Sequence, residues 1–206
     1  MIMKTTFMLL AMLLVFSFTK AQDDYKKVML ENIQAMDTVT NAQSLNNLVS
    51  VFTAVFEVKK DWHPLYYECL GYIKLSQAYQ NTEQKKAAIQ KAADLLDGLP
   101  TINDEVLVLT ALYALNYLAI DRSEWQTYLP MLNNSLKKAQ DINPDNPRSY
   151  YLQGLLKYNM PASMGGGHEV GIKLFQQSMD KFKSYKTADE FSPTWGKKEV
   201  EKYLSK

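Results

Sequence analysis

The residues best suited to metal or nucleophilic chemistry are few and lie far apart in the sequence. His63 and His168 are the only histidines, and Cys69 is the only cysteine. Neither histidine has a further ligand at a recognised zinc spacing, and a single thiol cannot form an internal disulfide. We therefore expect no metal site, no cofactor and no catalytic centre. The histidines are interpreted as caps at helix starts, and Cys69 as a buried, inert thiol.

Tyrosines and a run of glycines are better candidates for a binding surface. The chain has 13 tyrosines, a residue type found both half-buried in cores and at interfaces. The glycine run precedes a predicted helix, whose free N–H groups can hold an anion, and a flexible inter-helix loop is the alternative. The candidate surface comprises Tyr66, Tyr67, Tyr150, Tyr151, Tyr158, Gly165, Gly166 and Gly167. Core packing is the alternative for the tyrosines.

Residues 1–21 have the pattern of a removable secretory signal peptide. Lys4 supplies positive charge, residues 7–18 form an apolar run, and small residues precede a cleavage site after Ala21. The apolar run is short for a membrane span, which needs about 20 residues. We expect cleavage after Ala21, export to the periplasm or the cell exterior, and no stable membrane anchor after processing.

The charge balance gives no reason to expect a nucleic-acid partner. Removing residues 1–21 takes away Lys4 and Lys20, which leaves 21 basic and 22 acidic residues and a formal net charge of −1. Nucleic-acid binding requires basic residues clustered on one face. The lysines of the last 26 residues, 181–206, are instead interspersed with acidic residues.

Apolar residues recur at spacings of three and four along the mature chain, which predicts helices and no sheet. Proline, glycine and capping residues divide the pattern into four helical hairpins, at about 24–60, 64–97, 103–141 and 147–184, with a last helix over 195–205. The predicted fold is all-α: a single domain over 22–206 that forms an antiparallel helix-hairpin array, either a solenoid or a compact bundle.

Two segments have predicted places within this array. The run from Val106 to Ile120 is apolar nearly all round, so its helix should be central. Residues 195–205 should fold back as a C-terminal capping helix, because a terminal repeat exposes an apolar face. We expect Trp195 to anchor this helix, and the predicted docking residues are Phe175, Met179 and Phe182. A partner-binding tail with an exposed Trp195 is the alternative.

The second helices of three hairpins carry the small and large residues of a tetratricopeptide repeat at the family's spacing. They are Ala88, Ala92, Leu95 and Pro100, then Leu132, Leu136, Ala139 and Pro144, then Gly171, Phe175 and Ser178. The chain thus resembles the tetratricopeptide-like superfamily over about 64–184. Within 144–200 the sequence contains Pro144 to Arg148, Gly154, Gly165 to Gly167, Phe175 and Pro193 to Gly196. With these residues it resembles exported helical-repeat proteins of the Bacteroidetes, whose function is generally unassigned. The segment from Pro161 to Gly167 resembles tetratricopeptide-like periplasmic subunits associated with some solute transporters.

The resemblance implies an exported, non-catalytic scaffold that binds a protein or peptide on a face lined by the first helix of each pair. The alternative is a solute-binding or accessory component of an envelope transport system. That role requires an enclosed pocket with a few convergent polar groups. An enzyme is not predicted, because the sequence has no Ser-His-Asp order, Cys-His pairing or nucleophile elbow.

Overall fold

The computed structural model describes residues 22–99 and 103–205. Within these ranges the chain forms nine α-helices and two 3-10 turns, and it contains no β-strand. The α-helices are α1 (22–36), α2 (Ala42–Val58), α3 (Trp62–Ala78), α4 (Thr82–Asp97), α5 (Asp104–Ile120), α6 (Trp125–Ile142), α7 (Pro147–Asn159), α8 (His168–Ser184) and α9 (Lys197–Leu204). The 3-10 turns are Arg122–Glu124 and Ala162–Met164.

The helices form the predicted antiparallel hairpin array. In chain order the pairs are α1–α2, α3–α4, α5–α6 and α7–α8; the helices of the last three pairs pack extensively on each other, and α9 packs against α8. Neighbouring pairs also contact each other, through α2 with α3, α4 with α5, and α6 with α7. The all-α fold with a short C-terminal helix is therefore confirmed, whereas the predicted signal peptide lies outside the described residues.

Asparagine and aspartate side chains set where most of these helices begin. Asn81 Oδ1 accepts the backbone N–H groups of Glu83 and Gln84 at 2.9 and 3.1 Å, which satisfies donors that the first helical turn leaves free. Asn41, Asp61, Asn103 and Asn146 cap α2, α3, α5 and α7 in the same way. Each cap is a local sequence signal, so the helix starts were predictable.

Helix α5 is the central helix of the array. It contacts α3, α4, α6 and α7, and Val108, Leu109, Ala111 and Ala114 on it are fully buried. An apolar surface all round a helix requires neighbours on several sides, which the array provides.

Two glycines let α7 and α8 approach closely. A Cβ atom on Gly154 would lie 2.6 Å from Phe175 Cε1, and one on Gly171 would lie 2.5 Å from Tyr158 Cβ. Real Cβ atoms do not pack so tightly, because close-packed interiors leave no room for an extra methyl group. Gly171, one of the small residues of the tetratricopeptide pattern, therefore lies where α7 and α8 are in close contact.

Residues 185–196, which we call the strap, lie across the first helices of all four pairs. Four contacts define this course: Tyr25–Phe191 from α1, Tyr67–Phe191 from α3, Glu105–Tyr185 from α5 and Tyr151–Trp195 from α7. The face that the first helices form is consequently covered by the protein's own C-terminal segment.

The C-terminal helix docks on α8 as predicted, and Trp195 makes its contacts with α3 and α7. Tyr203 of α9 stacks on Phe175 with ring centroids 4.5 Å apart. Trp195 instead donates its indole N–H to Tyr66 at 3.0 Å and lies against Tyr151. Phe175 was one of the three predicted docking residues, and Phe182 lies beside the residue that follows Trp195, since a Cβ atom on Gly196 would be 3.2 Å from Phe182 Cζ.

Candidate functional site

A groove of about 550 Å³ opens between α5, the start of α6 and α7. We call it the α5–α7 groove. Its lining residues are Gln77, Leu112, Leu115, Asn116, Leu118, Ala119, Arg122, Trp125, Leu129, Tyr151, Leu155, Leu156, Asn159, Met160, Pro161 and Met164. The lining is mostly apolar with a few polar groups, and the volume falls in the range of about 300–1,000 Å³ typical of small-molecule sites.

The groove exists because three apolar helix faces meet without filling the space between them. Helix α5 contacts both α6 and α7, and α6 also contacts α7. The later part of the apolar face of α6, at Leu132, Leu136 and Ala139, is buried. Trp125 and Leu129, at the start of α6, line the groove instead. The apolar face of α6 therefore extends beyond what its neighbours cover.

Two large apolar side chains stand exposed in the groove. Trp125 is 56% exposed and Met164 is 63% exposed, and both contribute to the lining. Single exposed apolar residues are common on protein surfaces, whereas exposed apolar residues grouped in one concave site indicate a ligand or a partner. The groove is thus a candidate apolar binding site by composition and by exposure.

The polar groups of the groove have distinct roles. Asn116 is buried, donates to the carbonyl of Leu112 at 2.8 Å and accepts from Gln77 Nε2 at 2.7 Å. Its hydrogen-bonding capacity is therefore largely used within the protein. Arg122 is different: it is exposed, and it makes no ion pair with any residue in the described part of the chain.

The structure brings one residue of the sequence-predicted surface into the groove and distributes the others elsewhere. Tyr151 is buried and lines the groove. Tyr66 and Tyr67 are 0% and 1% exposed, with their hydroxyls bonded to the strap at Trp195 and Phe191. For these two residues the core alternative is the correct one, because the strap covers them.

The remaining two tyrosines are half-buried away from the groove. Tyr150 donates its hydroxyl to the Pro144 carbonyl at 3.0 Å. Tyr158 stacks on His168, with ring centroids 4.1 Å apart and planes inclined by 4°. Both rings are therefore engaged within the protein rather than displayed as free surface.

The glycine run forms a closed, hydrogen-bonded turn. The N–H groups of Gly165, Gly166 and Gly167 donate to the carbonyls of Ala162, Pro161 and Lys157, at 3.0, 3.2 and 2.9 Å. Gly165 and Gly167 adopt φ values of 76° and 114°, a backbone conformation that residues with a side chain rarely adopt. The N–H groups of the run are therefore used within the turn, which favours the loop interpretation, and anion binding at the start of α8 stays a prediction.

A buried ion pair joins α5, α7 and the strap. Arg148 is 1% exposed, and its Nε donates to Glu105 Oε2 at 3.0 Å while Nη2 donates to Oε1. Asn146 and the Tyr185 hydroxyl donate to the same Oε1, each at 2.9 Å. Burial lowers the pKa of Arg148, but Glu105 outweighs burial and holds that pKa above its ordinary value. The carboxylate is saturated with donors, so this cluster is a structural joint.

His63 forms a second polar joint to the strap. Its Nδ1 lies 3.1 Å from Asp61 Oδ1 and its Nε2 lies 3.1 Å from Asp189 Oδ2. Asp61, not His63, caps α3, which corrects the predicted cap. Burial raises the pKa of Asp61, but the His63 charge and hydrogen bonds outweigh burial and leave it lowered. His168 is the first residue of α8, but Gly167 is its N-cap, so the predicted cap is corrected there as well.

Cys69 is buried and donates its thiol to the Ala92 carbonyl at 3.4 Å. Burial raises the pKa of this thiol, so the reactive thiolate is disfavoured. Within 22–99 and 103–205, no three His, Cys, Asp or Glu side chains come together as a metal-binding group. Across the same residues, no helix is both long and apolar enough to span a bilayer.

Sequence reasoning missed the groove, although it identified several of its residues as apolar helix faces. Trp125 and Leu129 continue the face of Leu132 and Leu136, and nothing in the spacing shows which part of that face stays uncovered. The available signal was the adjacent pair Leu155 and Leu156 on α7. Adjacent helix residues point in directions about 100° apart, so the two side chains do not both face α8.

Comparisons with known proteins agree with this fold. No family model matches the chain, and no curated protein matches it. The tetratricopeptide resemblance therefore remains a prediction. Among solved structures, the chain is similar to the HusA haemophore from Porphyromonas gingivalis, with a TM-score of 0.75 and 25% sequence identity. That likeness covers 87% of this chain and 90% of the other, so it extends over most of both proteins, and the other protein is from a member of the Bacteroidetes.

Proposed function

We propose that this protein is an exported, non-catalytic carrier that binds haem or a closely related planar tetrapyrrole in the α5–α7 groove. The observation that carries the proposal is the groove itself: an apolar site of about 550 Å³ with exposed Trp125 and Met164. The similarity in fold to a haemophore supports the choice of ligand class.

The lining suits a flat, largely apolar macrocycle. Leucines from α5 and α7, such as Leu115 and Leu155, form the sides of the groove, and Trp125 offers an aromatic face for stacking. Each 100 Å² of apolar ligand surface that the groove covers contributes about 2.5 kcal/mol to binding. Association entropy offsets part of this gain, so wide coverage of the macrocycle is needed for tight binding.

The donors near the groove indicate where the affinity comes from. The lining includes the thioethers of Met160 and Met164 but no histidine. His63 lies between two aspartates, and His168 stacks on Tyr158. We therefore expect burial of the macrocycle to supply most of the binding free energy, with at most a thioether contact to a bound metal.

The other function considered, a scaffold for a protein or peptide partner, finds less support. In that function the first helices of the pairs would form the binding face. The strap lies across those helices and buries Tyr66 and Tyr67. The groove instead supports the solute-binding alternative. Export to the periplasm or the cell exterior rests on the pattern of residues 1–21 and stays part of the proposal.

An equilibrium titration of the mature protein with haem, followed by absorbance, tests the proposal. Trp125→Ala and Ile142→Ala are matched variants, because both side chains lie on α6 and both are 56% exposed. We expect Trp125→Ala to weaken haem binding about tenfold, or about 1.4 kcal/mol, and Ile142→Ala to leave it unchanged. Equal effects of the two substitutions would place the binding site outside the groove.

A further inference from the structure

Arg122 is placed to contact whatever occupies the α5–α7 groove. It opens the 3-10 turn between α5 and α6, three residues before Trp125, and both side chains line the groove. Residues three apart in a 3-10 turn project from the same side. The guanidinium therefore shares the groove with the exposed indole.

The acidic side chain that precedes Arg122 is engaged with other groups. Asp121 accepts the backbone N–H and the hydroxyl of Ser123 at 3.1 and 2.6 Å, and it pairs with Lys86 at 3.6 Å. These contacts turn the carboxylate toward the turn and α4. Arg122 thus keeps its charge without an ion pair in the part of the chain that the structure describes.

The charge on the side chains that line the groove is consequently of one sign, positive. Among the described residues, Arg122 is the one lining side chain with a permanent charge, and no carboxylate lines the groove. Guanidinium binds carboxylates through two parallel hydrogen bonds. A cation at the rim of an apolar site is complementary to a ligand with an apolar body and an acidic edge.

We propose that Arg122 pairs with a carboxylate of the bound ligand, so that the groove selects an apolar macrocycle bearing free carboxylates over the same macrocycle with its carboxylates esterified. This inference rests on the proposed function and adds the chemical group that the ligand must present. Arg122 also fixes the orientation of the ligand, with its acidic edge at the turn between α5 and α6.

Titrations of haem and of haem dimethyl ester against three proteins test the inference. The proteins are the wild type, Arg122→Gln, which keeps a polar side chain without charge, and Lys137→Gln, which removes a cation from an exposed pair on α6. We expect the wild type to prefer haem by about three- to tenfold, given the strength of exposed and charge-assisted pairs. Arg122→Gln should remove the preference by weakening haem alone, and Lys137→Gln should preserve it.

The outcomes separate this inference from the proposed function. Equal affinity of the wild type for haem and its ester would overturn the carboxylate contact and leave groove binding intact. The same conclusion follows if Arg122→Gln weakens both ligands equally. If the wild type bound neither haem nor its dimethyl ester, the inference would be overturned together with the function on which it rests.

Discussion

The buried ion pair between Arg148 and Glu105 offers the sharpest test of how the array is held together. Arg148 is 1% exposed, and it donates to both oxygens of Glu105. Its guanidinium also lies over the rings of Tyr185 and Trp195, at 5.1 and 5.8 Å from their centroids. Replacing Arg148 with methionine keeps an unbranched apolar stem but removes every one of these donors.

The expected loss follows from the burial of both partners. Removing one member of a buried pair leaves the other charge uncompensated, which costs about 3–5 kcal/mol. We therefore expect Arg148→Met to lower the free energy of unfolding by about that amount. Lys137→Met is the control: Lys137 pairs with Asp141 at 2.6 Å, but the side chains are 75% and 61% exposed, so the loss should stay near 0.5 kcal/mol, about the value for such helix pairs.

Urea denaturation of the mature protein, followed by far-ultraviolet circular dichroism, measures both changes. The slope of the free energy against urea should be the same in the three proteins, so that the midpoints can be compared directly. If Arg148→Met and Lys137→Met lowered the free energy of unfolding by the same amount, the ion pair would not be the structural joint described above.

Three further predictions concern packing, the strap and the thiol. Gly154→Ala, whose Cβ would meet Phe175 at 2.6 Å, should lower the free energy of unfolding by about 1–3 kcal/mol, measured by urea denaturation. Gly98→Ala, whose nearest contact would be 3.5 Å, should not lower it. Deleting 192–206 removes the anchors of the strap and α9, so the melting temperature should fall; an unchanged value would contradict the contacts described. Cys69 should react with a thiol reagent at pH 8 only after denaturation, because burial raises its pKa, and rapid labelling of the native protein would contradict its burial.

Local signals explain why so much of the fold was predictable. The helix starts at Asn81 and Pro147, and the apolar surface of α5, are written in residues close together in the sequence. Capping and helical periodicity depend only on such neighbours. The bounds of the four hairpins therefore follow from the sequence to within a few residues.

The strap could not be predicted in the same way. Trp195 and Tyr66 are 129 positions apart, and Phe191 and Tyr67 are 124 apart. A tyrosine at a helix surface has the same local pattern whether a distant segment covers it or solvent does. The interpretation of Tyr66 and Tyr67 as a binding surface was wrong for that reason.

The groove was missed because it is a gap between faces that each look like ordinary core. Leu112 and Leu115 on α5, Leu129 on α6 and Leu156 on α7 all satisfy helical periodicity. Periodicity shows which residues are apolar on one side of a helix, and it does not show how far the neighbouring helix extends to cover them.

The most direct test of the central claim is a nuclear magnetic resonance measurement of the three tryptophan indole N–H signals during addition of haem. Trp125 lines the groove and is exposed, whereas Trp195 is bonded to Tyr66 and Trp62 packs on His63 with ring centroids 4.0 Å apart. One equivalent of haem should shift or broaden the Trp125 signal more strongly than the Trp62 and Trp195 signals. An unchanged Trp125 signal would contradict the assignment of the α5–α7 groove as the binding site, because haem would then bind elsewhere on the protein or not at all.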